Sequence, residues 1–221
     1  MIAPGALDVI VPAGDRHASK AVLEESKVFL PIAGVPVLHH VLAAIERARC
    51  TGRIFVVGDR ARIERSLDDP GSPVRGHRPL VVVDQGDTLY ENLWRGLRAA
   101  LGPDAPPSLA SEDLTPTVRD KTILVITGDT PALVPEEIDE LVGASDLARF
   151  DYVLGVCSEA TLRAYYPRAG RPGIEMMYFD VRDLGWRQSN LNLLRPFRLG
   201  GRGHVEYLYG IRYLQDWANT A

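Results

Sequence analysis

The chain has 221 residues, 46% hydrophobic and 24% charged, with a net charge of −4 and a pI of about 5.8. That is ordinary globular composition and enough for one domain, residues 1–221, with a sizeable core. It lacks the basic balance of a nucleic-acid-binding domain, and no apolar run approaches the ~20 residues that span a bilayer. The opening, MIAPGALDVIVPAG, has no basic segment and leads straight into a strand, so it does not read as a secretory leader. Cys50 and Cys157 stand far apart, without His or Cys at metal-ligand spacing. Buried free thiols and a reducing, cytoplasmic setting are expected.

Residues 7–11 are a short apolar run and predict a buried strand. The turn Pro12-Ala13-Gly14 and a polar loop carrying Arg16 follow, then Lys27, Val28-Phe29-Leu30 and Pro31-Ile32-Ala33-Gly34-Val35-Pro36. A strand that empties into a glycine-containing loop with cations nearby can hold phosphate on backbone N–H groups and charge. Apolar residues at helical spacing predict a helix over 35–49, which Pro36 suits as a start. Residues 53–57 predict a strand, 61–67 a short helix, 70–79 a turn-rich loop and 80–83 a third strand. Leu89, Leu93, Leu97 and Leu101 mark one face of a helix.

The proline-rich stretch 102–120 reads as a surface insertion, and a mobile one. Residues 122–127 predict a central strand, 135–142 a helix with Glu136 and Glu137 in its first turn, and 152–156 another strand. A last helix is expected over 205–217, and the stop at Ala221 without a closing element suggests a piece of a longer protein. Strands alternating with helices predict an α/β fold with a mostly parallel sheet. Ligands in such sheets lie at the carboxyl ends of the strands. Gly14 and Arg16 follow the first strand, Gln85 the third and Asp129 the fourth, which points to one shared site.

Several side chains there have two readings. Asp129, in Thr127-Gly128-Asp129-Thr130-Pro131, suits a hard divalent cation or a cap on the next helix. In Asp84-Gln85-Gly86-Asp87-Thr88-Leu89, Asp87 or Thr88 suits a helix N-cap. Lys27 is a phosphate-neutralising charge or a solvated loop lysine. Asn190 and Asn192 lie in what reads as a polar turn. Arg187, Arg195, Arg198 and Arg202 around them suit an acceptor phosphate or a solvated face. His39 and His40 have no partner at metal spacing and read as structural. No Ser-His-Asp pattern, G-x-S-x-G or G-x-x-x-x-G-K-[ST] is present.

Lys27-Val28-Phe29-Leu30-Pro31-Ile32-Ala33-Gly34-Val35-Pro36-Val37-Leu38, together with Gly128-Asp129-Thr130-Pro131 through Ile138, resembles the MobA-like nucleotidyltransferase family. That family includes guanylyl-, cytidylyl- and sugar-1-phosphate nucleotidyltransferases. The first loop, Pro12-Ala13-Gly14-Asp15-Arg16, is shorter than the family pattern and has no second glycine. The resemblance implies a three-layer, Rossmann-like α/β/α sandwich. It implies Mg²⁺-dependent transfer of a nucleoside monophosphate from a nucleoside triphosphate to a small phosphorylated acceptor, with pyrophosphate released. By the same likeness, Lys27 and Arg16 would be catalytic, and Ala13, Gly14, Gln85, Thr88 and Asn92 would bind nucleotide. Asp129 and Asn190 would hold Mg²⁺, and a homodimer is compatible with the pattern. Tyr165-Tyr166-Pro167 resembles a second-substrate region and equally suits aromatic packing. Two rivals stand beside this reading. A metal-dependent glycosyltransferase would show D-x-D, which Asp129-Thr130-Pro131 is not, and the Lys27 motif argues against it. A degenerate, non-catalytic nucleotide-binding domain draws its support from the missing loop glycine.

Overall fold

The computed structural model describes residues 3–15, 26–175, 177–182 and 184–204. The elements in chain order are β1 Leu7–Pro12, β2 Pro31–Ile32, β3 Val35–Pro36, α1 Val37–Arg47, β4 Thr51–Gly58 and α2 Arg60–Leu67. Then come β5 Leu80–Asp84, α3 Leu89–Leu101, α4 Pro116–Arg119, β6 Ile123–Ile126 and α5 Pro135–Ala144. The described chain closes with β7 Tyr152–Ser158, α6 Glu159–Leu162, β8 Phe179–Val181 and β9 Leu184–Leu194. The predicted helix over 205–217 lies outside the described residues.

The main sheet has the order β5-β4-β1-β6-β9-β7, with β8 paired to β9. Strands β5, β4, β1 and β6 run parallel, while β9 runs antiparallel to both β6 and β7. Helices cover both faces, so β1 reads as an unbroken apolar run. Val9 and Val11 pack with Leu38, Leu42 and Ile45 of α1 and Ile138 of α5. Ile10 between them packs with Leu97 of α3, Val118 of α4 and Phe197. The result is the three-layer α/β/α sandwich. Each fully buried Leu or Ile contributes about 1.5–3 kcal/mol.

The predicted helix start at residue 35 gives way to a small ribbon. Pro31 pairs with Pro36 and Ile32 with Val35. Ala33 and Gly34, at φ 52° and 81°, make the left-handed pair that a two-residue hairpin turn needs. His40 Nε2 donates to the Ile32 carbonyl at 3.1 Å and fastens the ribbon to α1. His39 is buried and bonds Ser66 Oγ at 3.0 Å, so both histidines have structural partners. Thr51 Oγ1 donates to the carbonyls of Ile45 and Ala48, which closes the end of α1 and starts β4 earlier than its apolar run.

The 102–120 insertion is mostly exposed but anchored. Val118 is buried, and Leu109 and Leu114 pack on the same core as Phe197. Cys50 is buried as expected, whereas Cys157 on the outer strand β7 is only half-buried. Among the described residues no helix is long and apolar enough to cross a membrane.

Candidate nucleotide site at the carboxyl ends of the strands

The first loop leaves β1 at Pro12 and is pinned at once. Ala13 N donates to the Val57 carbonyl at 2.8 Å. Asp15 N donates to Gln85 Oε1 at 2.9 Å, and Gln85 Nε2 donates to Asp15 Oδ1 at 2.7 Å. These partners are 70 residues apart in the chain. Gln85 itself is held by its own N–H on the Gly58 carbonyl, the last residue of β4. Asn92 Oδ1 accepts from Gly86 N at 2.7 Å. Gly14 lies between the two amides: a Cβ there would stand 2.4 Å from Asn92 Nδ2 and 3.0 Å from Gln85 Oε1. Only glycine fits so close an approach.

Thr88 caps α3, accepting from Glu91 N at 3.1 Å. Its hydroxyl therefore does for the helix what a cap residue does. Gln85 is 8% exposed and Asn92 3% exposed. Sequence reasoning proposed these amides as nucleotide contacts; the structure brings both against Gly14, with their polar groups engaged on backbone and on Asp15. Asp15 escaped that reasoning because its partner is far away in the chain.

Gly128 N donates to the Pro12 carbonyl at 3.1 Å, which sets the β6 loop beside the β1 loop. Ala13 and Leu38 of α1 both pack on Gly128. Asp129 is exposed on that loop. It does not cap α5. The first turn of α5 closes instead through the Glu137 carboxylate, which accepts from Val134 N at 3.3 Å.

Asn190 reaches the same loop by register. Leu191 pairs with Ile126, so the antiparallel β9 carries Asn190 alongside Thr127, two residues from Asp129. The predicted polar turn is thus a strand of the central sheet. Against β7 the register shifts: Leu154 faces Asn192 while Val156 faces Gln188. The two extra residues of β9 form a bulge, and Asn190 within it has φ 63°. Asparagine tolerates this left-handed conformation better than most side chains, and bulges concentrate next to active sites. Asn192, two residues on, is engaged: its Oδ1 accepts from Tyr152 OH at 2.7 Å.

The fit to a hard cation rests on these donors. Asp129 and Asn190 are oxygen donors, and Thr127 Oγ1, two residues before Asp129, is buried without a hydrogen-bond partner among the described residues. Among those residues no three His, Cys, Asp or Glu side chains gather as a closed metal cage. A few oxygen ligands completed by water and substrate is the pattern Mg²⁺ takes.

Lys27 is exposed at the head of a single 3-10 turn, Lys27–Phe29. Val28 anchors that turn in the core, and the Arg62 guanidinium lies 3.8 Å from the Phe29 ring centre. Arg62 follows the carboxyl end of β4, so Lys27 belongs to the same end of the sheet. Arg16 lies outside the described residues.

The arginines near Asn190 divide. Arg187 remains on its half of β9 and donates to the Met177 carbonyl. Arg195 pairs with Asp151 at 3.1 Å, and Arg198 with Asp120 at 3.3 Å. Arg202 donates to the carbonyls of Leu109 and Ser111. Leu194 pairs with Ile123, so these last three sit at the amino end of β6, away from Asn190. A cleft of about 1010 Å³, lined by Arg49, Asp139 and Arg195 among others, opens at that amino end too.

Comparisons with known proteins bear on this geometry. The profile of the MobA-like NTP transferase domain matches residues 9–189. A search of curated proteins found no match. Among solved structures, a hypothetical transferase from Thermus thermophilus is similar at TM-score 0.58 and 22% identity, covering 86% of this chain and 65% of that one. This chain therefore spans just under two thirds of the Thermus protein. CMP:2-keto-3-deoxy-manno-octonic acid synthetase, solved with CTP, is similar at TM-score 0.53 and 14% identity, over 95% of this chain and 86% of that one. Francisella tularensis 2-C-methyl-D-erythritol 4-phosphate cytidylyltransferase is similar at TM-score 0.51 and 14% identity, over 97% and 81%. At these identities the likeness establishes the fold. The profile runs from β1 through Lys27, Gln85 and Asp129 to the residue before Asn190, and the chain belongs to the MobA-like NTP transferase family.

Proposed function

We propose that this protein transfers a nucleoside monophosphate from a nucleoside triphosphate to a small phosphorylated acceptor and releases pyrophosphate, with Mg²⁺ required. The observation that carries the reading is the meeting of the β1, β5 and β6 loops at one end of the sheet. There Gln85 packs on Gly14 and bonds Asp15, and Gly128, bonded to Pro12, leads into Asp129. Family membership adds the reaction class. The similar synthetase solved with CTP, and the cytidylyltransferase named for 2-C-methyl-D-erythritol 4-phosphate, suggest CTP and phosphorylated sugars or polyols as the first substrates to try.

In this reaction an acceptor phosphate oxygen bonds to the α-phosphorus while the bond from that phosphorus to the β-phosphate oxygen breaks. Such transfers need positioning and charge stabilisation more than covalent chemistry, so no protein-bound intermediate is expected. The first loop would hold the triphosphate through backbone N–H groups, and Lys27 would place a fixed positive charge near it. Asp129 and Asn190 would hold Mg²⁺, which would supply positive charge against the developing phosphate charge. The test is pyrophosphate release from CTP, GTP, UTP, ATP and dTTP, each with a panel of sugar and polyol phosphates. Mg²⁺-dependent release by the parent, lost in Asp129→Ala with the fold intact, supports the reading. Parent-like release by Asp129→Ala would sink the metal assignment, and none with any pair would favour the non-catalytic domain.

A further inference from the structure

The two amides over Gly14 are engaged by the protein's own backbone and by Asp15. Gln85 engages Asp15 twice, accepting from its N–H at 2.9 Å and donating to its carboxylate at 2.7 Å. Asn92 ties Gly86 N at 2.7 Å and presses its Nδ2 on Gly14. Both are buried. To read a base edge with the same groups, Gln85 would have to release two partners inside a buried site, which is unfavourable. Meanwhile the backbone on either side of Gly14 is pinned: Ala13 N on Val57, Asp15 N on Gln85. Gly14 N has no hydrogen-bond partner among the described residues. A backbone donor fixed from both sides and left unpaired is the group an anion uses.

We propose that Gln85, supported by Asn92, is a positioning residue that fixes the Gly14 loop for the phosphate chain of the nucleotide, and that it does not read the base. This rests on the nucleotidyltransferase reading above. Base discrimination then belongs to other residues, and Gln85 contributes equally to every triphosphate.

Inorganic tripolyphosphate, which has no base, separates the two roles. Calorimetric titration in Mg²⁺ would compare it with the five nucleoside triphosphates. In Gln85→Leu the affinity for tripolyphosphate and for each nucleotide should fall by the same factor, about tenfold, which equals ~1.4 kcal/mol. The order of preference among bases should stay as in the parent. A Gln85→Leu protein that keeps tripolyphosphate affinity but changes its base ranking would overturn the proposal. Should that variant not fold, Asp15 carries the same test. Asp15→Asn retains an acceptor for Gln85 Nε2 and should bind like the parent, whereas Asp15→Ala should lose affinity for tripolyphosphate and nucleotides alike. Equal binding by both Asp15 variants would overturn it as well. A parent protein that binds neither tripolyphosphate nor any nucleotide would overturn this inference and the function it rests on together. Failure of the Gln85 test alone leaves the function standing.

Discussion

Replacing Gly14 by alanine probes how tightly the first loop is locked against the β5–α3 connection. The new methyl would stand 2.4 Å from Asn92 Nδ2 and 3.0 Å from Gln85 Oε1. Neither amide yields freely. Asn92 is 3% exposed and bonded to Gly86 N, and Gln85 is bonded twice to Asp15. Overpacking a closed site costs about 1–3 kcal/mol. Escape by breaking the Asn92–Gly86 bond would strand buried polar groups at about 1–3 kcal/mol. Either route predicts a loss near ~2 kcal/mol, or a Tm lower by about 4–8 °C in a chain of this size. Urea unfolding gives the free energy directly, with an unchanged m-value showing that the unfolded state is unaltered. A double-mutant cycle supplies the control. With Asn92→Ala already present the clash is removed, and Gly14→Ala should then cost at least ~1 kcal/mol less. Equal costs in the two backgrounds would refute the packing argument, as would a Tm within ~1 °C of the parent.

Three further outcomes are expected. At the bottom of the sheet, burial alone would raise the Asp8 pKa, but hydrogen bonds from Arg53 and Lys121 hold it below the usual 3.8. Asp8→Asn should cost about 1–3 kcal/mol at neutral pH, less than a fully enclosed pair, because Arg53 is half-exposed. A folded pKa below the unfolded one stabilises above the unfolded value and loses that effect as pH falls through the folded one. The gap between parent and variant, read by urea unfolding, should therefore close below pH 3.8. Burial lowers the His39 pKa from its ordinary 6.5. Ser66 Oγ donates to the Ile63 carbonyl, so His39 Nε2–H donates to Ser66, and Nδ1 has no partner. The unfolded chain takes the proton more readily, so Tm should drop as pH falls below 6.5, and His39→Gln should flatten that slope. Asn190→Val would force a β-branched side chain into φ 63° and should cost about 1–2 kcal/mol, whereas Asn190→Gly should leave Tm near the parent's while weakening the Mg²⁺ response. A destabilised Asn190→Gly, or a stable Asn190→Val, would remove the bulge from the account.

Much of this fold is legible in local pattern because local physics sets it. The apolar run of β1 is continuous because both of its faces are covered, and α3 shows its leucine stripe because only one of its faces is. Position along the chain was legible: Gly14, Gln85 and Asp129 all follow strand ends, Gln85 packs on Gly14, and Gly128 ties the loop before Asp129 to Pro12. What sequence could not supply was long-range pairing. Asp15 and Gln85 find each other across 70 residues, a pairing that no local pattern shows. Strand β9 hid because its outer half, Trp186-Arg187-Gln188-Ser189-Asn190, has no apolar alternation; only Leu191 and Leu193 are buried. Its antiparallel course also sends Arg195, Arg198 and Arg202 to the far end of the sheet, although they neighbour Asn190 in the chain. A left-handed Asn in a polar stretch is the one local sign of the bulge, and a turn would show the same sign.

The most direct test of the central claim is a thermal-shift panel with CTP, GTP, UTP, ATP and dTTP, each with and without Mg²⁺. A ligand at about 100 times its dissociation constant adds ~2.7 kcal/mol, a rise of roughly 5–10 °C here. The account predicts a rise that needs Mg²⁺, is largest with one base, and disappears in Asp129→Ala. No shift with any triphosphate, or an equal shift in Asp129→Ala, would contradict it.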